Sequence, residues 1–182
     1  MTKANVFEFL AKTLPETKPG AGGLIVLDHF QGNRTPYKDP HSKGIIYGLT
    51  MQHDWKDIYR AVLEGVSFGT CNVIERYEAE AFEIEEIVAC GGGTKNTAWV
   101  QMIADICGKP IVVNECEQGC VLGCCVVGAA ASVFDGDLEK AANALVHKAE
   151  TYLPNMEIHE VYKPLFEKYK QLYESTKKLG KM

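Results

Sequence analysis

A glycine turn followed by polar side chains offers the clearest chemistry in this sequence, at residues 91–96 (Gly-Gly-Gly-Thr-Lys-Asn). A short apolar run, 87–90, precedes the turn, and a helical pattern follows it. Backbone N–H groups at such a strand-to-helix turn suit an anion or the polar edge of a nucleotide. A tight structural turn is the alternative. Asn96 stands where the dinucleotide fingerprint needs glycine, and no Gly-Lys-Ser/Thr follows to make a Walker A loop.

The sequence predicts no catalytic residue and no metal site. The five histidines lack metal-ligand spacing, and no Gly-x-Ser-x-Gly elbow occurs. Four aspartates near the glycine-bearing loops are interpreted as helix caps or solvated carboxylates: Asp28, Asp39, Asp54 and Asp57.

A row of cysteines raises the question of a metal or cluster site. Cys116, Cys120 and Cys124 are spaced four residues apart, which aligns them along one face of a helix. No Cys-x-x-Cys pair and no nearby histidine accompanies them. We therefore interpret them as small apolar side chains packed inside a buried helix.

Composition excludes several classes of partner. The net charge is −5, which argues against a broad basic surface for nucleic acid. The longest apolar run, 121–133, is too short to span a bilayer, and residues 1–10 do not have the pattern of a secretory signal. The seven cysteines are an odd number, which indicates free thiols in a reducing compartment. We expect a cytoplasmic protein with no membrane partner.

The elements that position the turn are predicted to form one α/β domain over residues 1–182. Short strands alternating with helices predict at least one parallel strand pair, and the two runs 24–27 and 44–49 are expected to pair with each other. Thr94 is predicted to cap the helix after the glycine turn, and helix 119–134, apolar nearly all round, is expected in the core. The other predicted strands are 87–90 and 111–113, and the other predicted helices are 3–13, 54–77, 137–150 and 160–178.

Several separate motifs occur along the chain in a definite order and spacing. Residues 44–49 (Gly-Ile-Ile-Tyr-Gly-Leu) are followed seven residues later by 57–64 (Asp-Ile-Tyr-Arg-Ala-Val-Leu-Glu). Upstream, 32–36 read Gly-Asn-Arg-Thr-Pro, with Asp-Pro at 39–40, and downstream lies the glycine turn. From about residue 23 to 134, this order and spacing resembles the C-terminal domain of the FGGY carbohydrate kinases. The stretch 27–34 is most similar to the ribulokinase-type members.

The resemblance implies an actin-like ATPase, or ribonuclease H-like, fold: the C-terminal half of a two-domain sugar kinase. It assigns 23–134 to the family core and 137–178 to C-terminal helices. It also implies ATP with Mg²⁺ as cofactors and a ketopentose, ribulose or xylulose, as the sugar. Asn96 would hydrogen-bond the nucleoside, and Gly92 would approach the phosphate or ribose. The nucleotide-binding residues carried over are Gly91, Gly92, Gly93, Thr94 and Asn96.

The departures from the family pattern shape the functional hypothesis. The family's phosphate loop, its catalytic aspartate segment and its Gly-Thr phosphate segment are absent from these residues. We therefore expect a domain truncated at its N-terminal side, inactive alone, whose partner is the missing N-terminal kinase domain. We also expect a homo-oligomer formed through uncovered strand edges or helix faces, with candidate contacts near Val62 and Val66 and near Phe166 and Tyr169.

Two other functions stay open on the sequence. The first is a non-catalytic nucleotide-binding or assembly module of the same fold. The second is a Rossmann-type oxidoreductase, against which the Asn96 mismatch counts.

Overall fold

The computed structural model describes residues 3–181. Its strands are β1 (Ile25–Leu27), β2 (Ile45–Tyr47), β3 (Ile87–Ala89), β4 (Ile111–Asn114) and β5 (Lys148–Tyr152). Its α-helices are α1 (Lys3–Thr13), α2 (Trp55–Ala79), α3 (Thr97–Cys107), α4 (Gly119–Ser132), α5 (Leu138–Leu145) and α6 (Met156–Thr176). The predicted α/β class is confirmed.

Strands β1 and β2 pair with each other, as predicted, and the pairing is antiparallel. Strand β1 also lies against α2. Two glycines of α2 make this close approach possible. A Cβ at Gly65 would lie 2.4 Å from the carbonyl oxygen of Val26, and one at Gly69 would lie 2.7 Å from Oδ2 of Asp28. A side chain at either position would collide with β1 or the residue after it, so α2 presents glycine where the strand passes.

A second sheet has the order β3-β4-β5, with β3 and β4 parallel as predicted. The antiparallel strand β5 was not predicted, because residues 137–150 were assigned to one helix. In the structure α5 ends at Leu145, and the chain turns extended before pairing with β4. Four of the five β5 residues are exposed, so β5 has no apolar alternation that could identify it.

The start of α3 differs from the prediction. Asn96, not Thr94, caps the helix, because its Oδ1 accepts a hydrogen bond from the N–H of Trp99 at 3.2 Å. Thr94 lies two residues earlier, in a short 3₁₀ helix, Gly92–Lys95. The terminal helix α6 begins at Met156 rather than at residue 160, with Asn155 as its cap.

The main core lies where α2, α3 and α6 enclose β1. Tyr162 and Tyr169 of α6 are almost completely buried, and Phe68 of α2 contacts both rings. Phe166 stacks on Phe68 with ring centroids 6.0 Å apart. The expectation that Tyr169 forms an intermolecular contact is therefore wrong, since Tyr169 is buried in the chain's own core, whereas Phe166 is only partly buried there. Val62 likewise packs against a cluster around β1.

Helix α4 contradicts the prediction that it lies in the core. It packs against α5, yet Val121 is 58% exposed and Val127 is 60% exposed. Cys120 and Cys124 are exposed as well, so the interpretation that they pack inside a buried helix is wrong. An apolar helix is shielded from water only when another element packs against it. No other element within residues 3–181 covers the α4 face that carries Val121 and Val127. None of the described helices is long and apolar enough to cross a membrane.

Candidate functional site

The glycine turn is an open loop between β3 and α3. Gly91 has φ of 92°, a left-handed conformation that favours glycine. A Cβ placed on Gly91 or Gly92 would meet no atom within 4 Å, so the space above both residues is free. The hydroxyl of Thr94 donates to the carbonyl of Gly91 at 2.8 Å, which holds the turn closed on itself.

The start of α4 lies beside this turn. The N–H of Gly91 donates to the carbonyl of Glu117 at 3.1 Å, and Lys95 pairs with the Glu117 carboxylate at 2.9 Å. A Cβ on Gly119 would lie 2.7 Å from Sγ of Cys90, so α4 begins in contact with the residue that follows β3. Gln118, the N-cap of α4, makes no side-chain cap, so the first backbone N–H groups of α4 stay available beside the turn.

Asn96 serves the fold and still has hydrogen-bonding capacity to spare. Its Oδ1 caps α3, and its Nδ2 donates to the hydroxyl of Tyr59 at 3.3 Å. An amide group has two N–H donors and two oxygen lone pairs, so one of each stays available for a ligand. Burial raises the pKa of Tyr59, while the Asn96 amide opposes that shift. Tyr59 therefore stays neutral and orients the amide.

The structure places the predicted site residues in one turn, and it adds two that the sequence did not indicate. Tyr59 and Glu117 contact the turn or its immediate neighbours. Tyr59 lies inside the 57–64 motif, which was the one available signal for it. Glu117 is placed by the loop that leads into α4, which no local pattern indicates.

The four aspartates have different roles. Asp54 and Asp57 form a capping box at the start of α2, as interpreted. Asp28 accepts a hydrogen bond from the hydroxyl of Tyr169 at 2.6 Å. Asp39 is buried and accepts from the hydroxyl of Tyr173 at 3.2 Å, so the interpretation of a solvated carboxylate is wrong for it.

The donor set of the turn fits a nucleotide better than it fits a metal ion. Backbone N–H groups and an amide face open space, whereas Glu117, the carboxylate at the turn, is paired with Lys95. Among the described residues, no group of three or more His, Cys, Asp or Glu side chains is arranged to hold a metal ion.

A parallel strand pair, a glycine turn at its carboxyl end and flanking helices define an α/β domain with an exposed loop of backbone donors. Residues 2–132 match the C-terminal domain of the FGGY family of carbohydrate kinases. The chain belongs to that family, and the family prediction is confirmed.

Curated relatives include two pentulose kinases. The chain is 33% identical to a xylulose kinase of Bacillus subtilis over 173 residues, 95% of this chain and 35% of that protein. It is 34% identical to a ribulokinase of Staphylococcus aureus over 165 residues, 89% of this chain and 30% of that protein. The chain therefore spans about a third of the length of these relatives.

Solved structures share the fold. A xylulose kinase from Rhodospirillum rubrum superposes with a TM-score of 0.86 at 24% identity, covering 100% of this chain and 36% of that one. A ligand-bound xylulose kinase from Lactobacillus acidophilus gives a TM-score of 0.82 at 26% identity, covering 93% of this chain and 34% of that one. The fold is that of the C-terminal domain of these kinases.

Proposed function

We propose that this chain forms the adenosine side of the nucleotide site in an ATP-dependent sugar kinase. The observation that carries the proposal is the open turn at Gly91 and Gly92 in a chain of this family. The backbone N–H groups of the turn and of the α4 start would bind the polar part of the nucleotide. Asn96 would donate its free N–H to the nucleoside, held in place by Tyr59.

The reaction proposed for the whole kinase is transfer of the γ-phosphoryl group to a sugar hydroxyl. Positioning and electrostatic stabilisation do most of the work in such reactions. Mg²⁺, when bound, would neutralise charge on the phosphates. The residues described here would contribute by fixing the nucleoside end, so that the γ-phosphate points away from the turn toward the rest of the enzyme.

The proposed substrate is a ketopentose, ribulose or xylulose. Support comes from the relatives named xylulose kinase and ribulokinase, and from the ribulokinase-type stretch 27–34. In that stretch, His29 contacts Ser42 at 2.7 Å and Asn33 at 3.0 Å, which fixes the loop next to α6. The cytoplasmic location stays a prediction.

We propose that the isolated 182-residue chain has no sugar kinase activity, because it spans only about a third of the length of its kinase relatives. The measurement is a coupled ADP-release assay with ATP, Mg²⁺ and a panel of ketoses, glycerol and gluconate. A full-length pentulose kinase run in parallel checks the assay. ADP formation that depends on a sugar, at a rate typical of enzymes (about 1–10³ per second), would contradict the proposal.

The isolated chain should bind ADP weakly, at about millimolar Kd or about −4 kcal/mol, since half of a cleft makes half of the contacts. Asn96→Ala should weaken binding about fivefold, the value of one hydrogen bond, and should also remove a helix cap. Asn96→Ser retains a capping oxygen but loses the amide, so it should weaken binding equally without lowering stability. NMR titration measures binding, and urea unfolding measures stability.

The matched control for the Asn96 variants is Asn155→Ala, the same substitution at the N-cap of α6. It should lower stability by about 1 kcal/mol and leave ADP binding unchanged. ADP-induced shifts confined to residues far from 91–96, or wild-type affinity in Asn96→Ser, would refute the nucleoside assignment.

In the isolated state we propose that the exposed apolar face of α4 and the free edge of β3 associate with a second copy. In an intact kinase the remaining polypeptide would cover this surface. Exposed apolar faces and unpaired strand edges favour association. Light scattering over a range of concentrations should therefore show a dimer or higher oligomer.

Two valines of similar exposure allow a direct test of the oligomer. Val127→Lys on α4 should shift the chain toward monomer, whereas Val161→Lys on α6 should not, although Val127 is 60% exposed and Val161 is 50% exposed. A wild-type chain that stays monomeric up to about millimolar, the weak limit of a useful contact, would overturn this proposal.

A further inference from the structure

Two thiols meet at the end of α3 that lies away from the glycine turn. Cys107 is the last residue of α3 and is 7% exposed, whereas Cys71 of α2 is partly exposed. The Cys71 thiol contacts the carbonyl oxygen of Ile106 at 3.9 Å, one residue before Cys107. Both thiols line the same cavity, and the Cys71 thiol and burial together raise the pKa of the Cys107 thiol.

The pair is accessible from one side. Cys71 and Cys107 both line an open cavity of about 480 Å³ between α2, α3 and α6. Charges of both signs line the same cavity: Glu75, Glu78 and Glu167 with Lys163. The carboxylates are paired with lysines, Glu75 and Glu167 with Lys170 and Glu78 with Lys109. A neutral small disulfide can therefore enter without strong attraction or repulsion by either sign.

We propose that Cys71 and Cys107 form a reversible intramolecular disulfide that ties α2 to α3, with a low-molecular-weight disulfide as the oxidant. One protein thiol loses its proton and attacks a sulfur of the small disulfide, which gives a mixed disulfide and releases one small thiolate. The second protein thiol then loses its proton and displaces the other small thiolate. Two protein thiols are oxidised by two electrons, and the small disulfide is reduced to two thiols.

The surroundings set the order of attack. Cys71 is the more exposed thiol and reaches the oxidant first, whereas Cys107 is buried and its thiol has a raised pKa, so it attacks second. His159 lines the same cavity, and its Nδ1 lies 2.9 Å from the carbonyl oxygen of Asp105. That contact makes Nδ1 the protonated nitrogen, because a carbonyl oxygen can only accept a hydrogen bond.

Two exposed cysteines of α4 offer a contrast. Cys120 and Cys124 lie one turn apart on this helix and are both exposed. They should form mixed disulfides with the reagent rather than an internal bond. The proposed bond instead joins residues 36 positions apart in the chain (107 − 71 = 36), and it would restrict the unfolded state as disulfides do.

The test uses 2-hydroxyethyl disulfide on the 182-residue chain, followed by alkylation in denaturant and digestion with trypsin and a glutamate-specific protease. The expected peptides, 65–75 and 96–115, carry Cys71 and Cys107 as their single cysteines. Mass spectrometry should find these two peptides linked to each other, and a dithiol should separate them. Both peptides alkylated, or each carrying the small thiol without being linked, would overturn the proposal.

Variants separate this bond from general thiol oxidation. Cys71→Ser should abolish the linked peptide pair. In this variant the small thiol should be attached to exposed cysteines and not to Cys107. Cys125→Ser, the same change at an exposed cysteine of α4, should leave the linked pair at its wild-type yield. The wild-type peptide map decides the outcome even where a variant fails to fold.

Discussion

Replacing Glu64 with alanine should lower the free energy of unfolding by about 3–5 kcal/mol, because it would leave the buried charge of Arg60 without its partner. Glu64 is 1% exposed and Arg60 is 8% exposed. Nη1 of Arg60 lies 3.1 Å from Oε1 of Glu64, and the hydroxyl of Tyr162 donates to the same oxygen at 2.9 Å. The N–H of Gly20 donates to it as well, at 2.9 Å.

The loss of stability should be large because the Arg60–Glu64 pair connects several elements of the fold. Arg60 also donates to the hydroxyl of Thr17 at 2.8 Å and to the carbonyl of Leu14 at 3.3 Å. The pair therefore joins α2 to α6 and to the segment that leads into β1. Burial raises the pKa of Glu64, so the carboxylate is costly to ionise there and depends on its three donors.

A second ion pair, at the C-terminal end of the same helix, is the control. Arg76 and Glu80 have the same four-residue spacing, with an N–O distance of 2.7 Å, but both side chains are more than half exposed. Glu80→Ala should therefore cost less than about 1 kcal/mol in urea unfolding. The double variant Arg60→Met/Glu64→Leu should lose less than the sum of its two single variants, because it leaves no unpaired charge. A loss in Glu64→Ala no larger than in Glu80→Ala would show that the buried pair is not stabilising.

The contrast between these two pairs explains what the sequence could and could not predict. Both have the same spacing and residue types, so a helical pattern cannot tell them apart. What distinguishes Glu64 is Gly20, 44 residues away, and Tyr162, 98 residues away. Local signals, such as Asp54 at the start of α2, predicted the helix correctly, because a cap acts within a few residues of itself.

The difference between local signals and contacts between distant residues also determines how well burial and the candidate site could be predicted. The apolar pattern of α4 predicts that this helix should be covered, but a pattern cannot say which polypeptide covers it, and the described residues leave Val121 and Val127 exposed. The glycine turn was predictable because its residues are contiguous. The contact between Asn96 and Tyr59 was not, since it depends on how α2 and α3 cross.

Two helical glycines should respond in opposite directions when changed to alanine. At Gly65 the new Cβ would lie 2.4 Å from the carbonyl oxygen of Val26 and 3.1 Å from its Cβ. The oxygen belongs to the backbone of the buried strand β1, so α2 and β1 would have to separate, at a cost of about 3 kcal/mol. At Gly123 of α4 nothing lies within 4 Å, so alanine should stabilise the helix by about 1 kcal/mol.

The free energies of unfolding of Gly65→Ala and Gly123→Ala are measured with urea. Dilute solution is used so that association through α4 does not contribute to stability. Gly65→Ala should lower the unfolding midpoint and Gly123→Ala should raise it, with the slope against urea unchanged in both. If Gly65→Ala were as stable as wild type, α2 and β1 would not be as closely packed as the structure has them. If Gly123→Ala were destabilised instead, the face of α4 that carries Gly123 would already be covered in solution, because only a close neighbour can turn the gain in helix propensity into a loss.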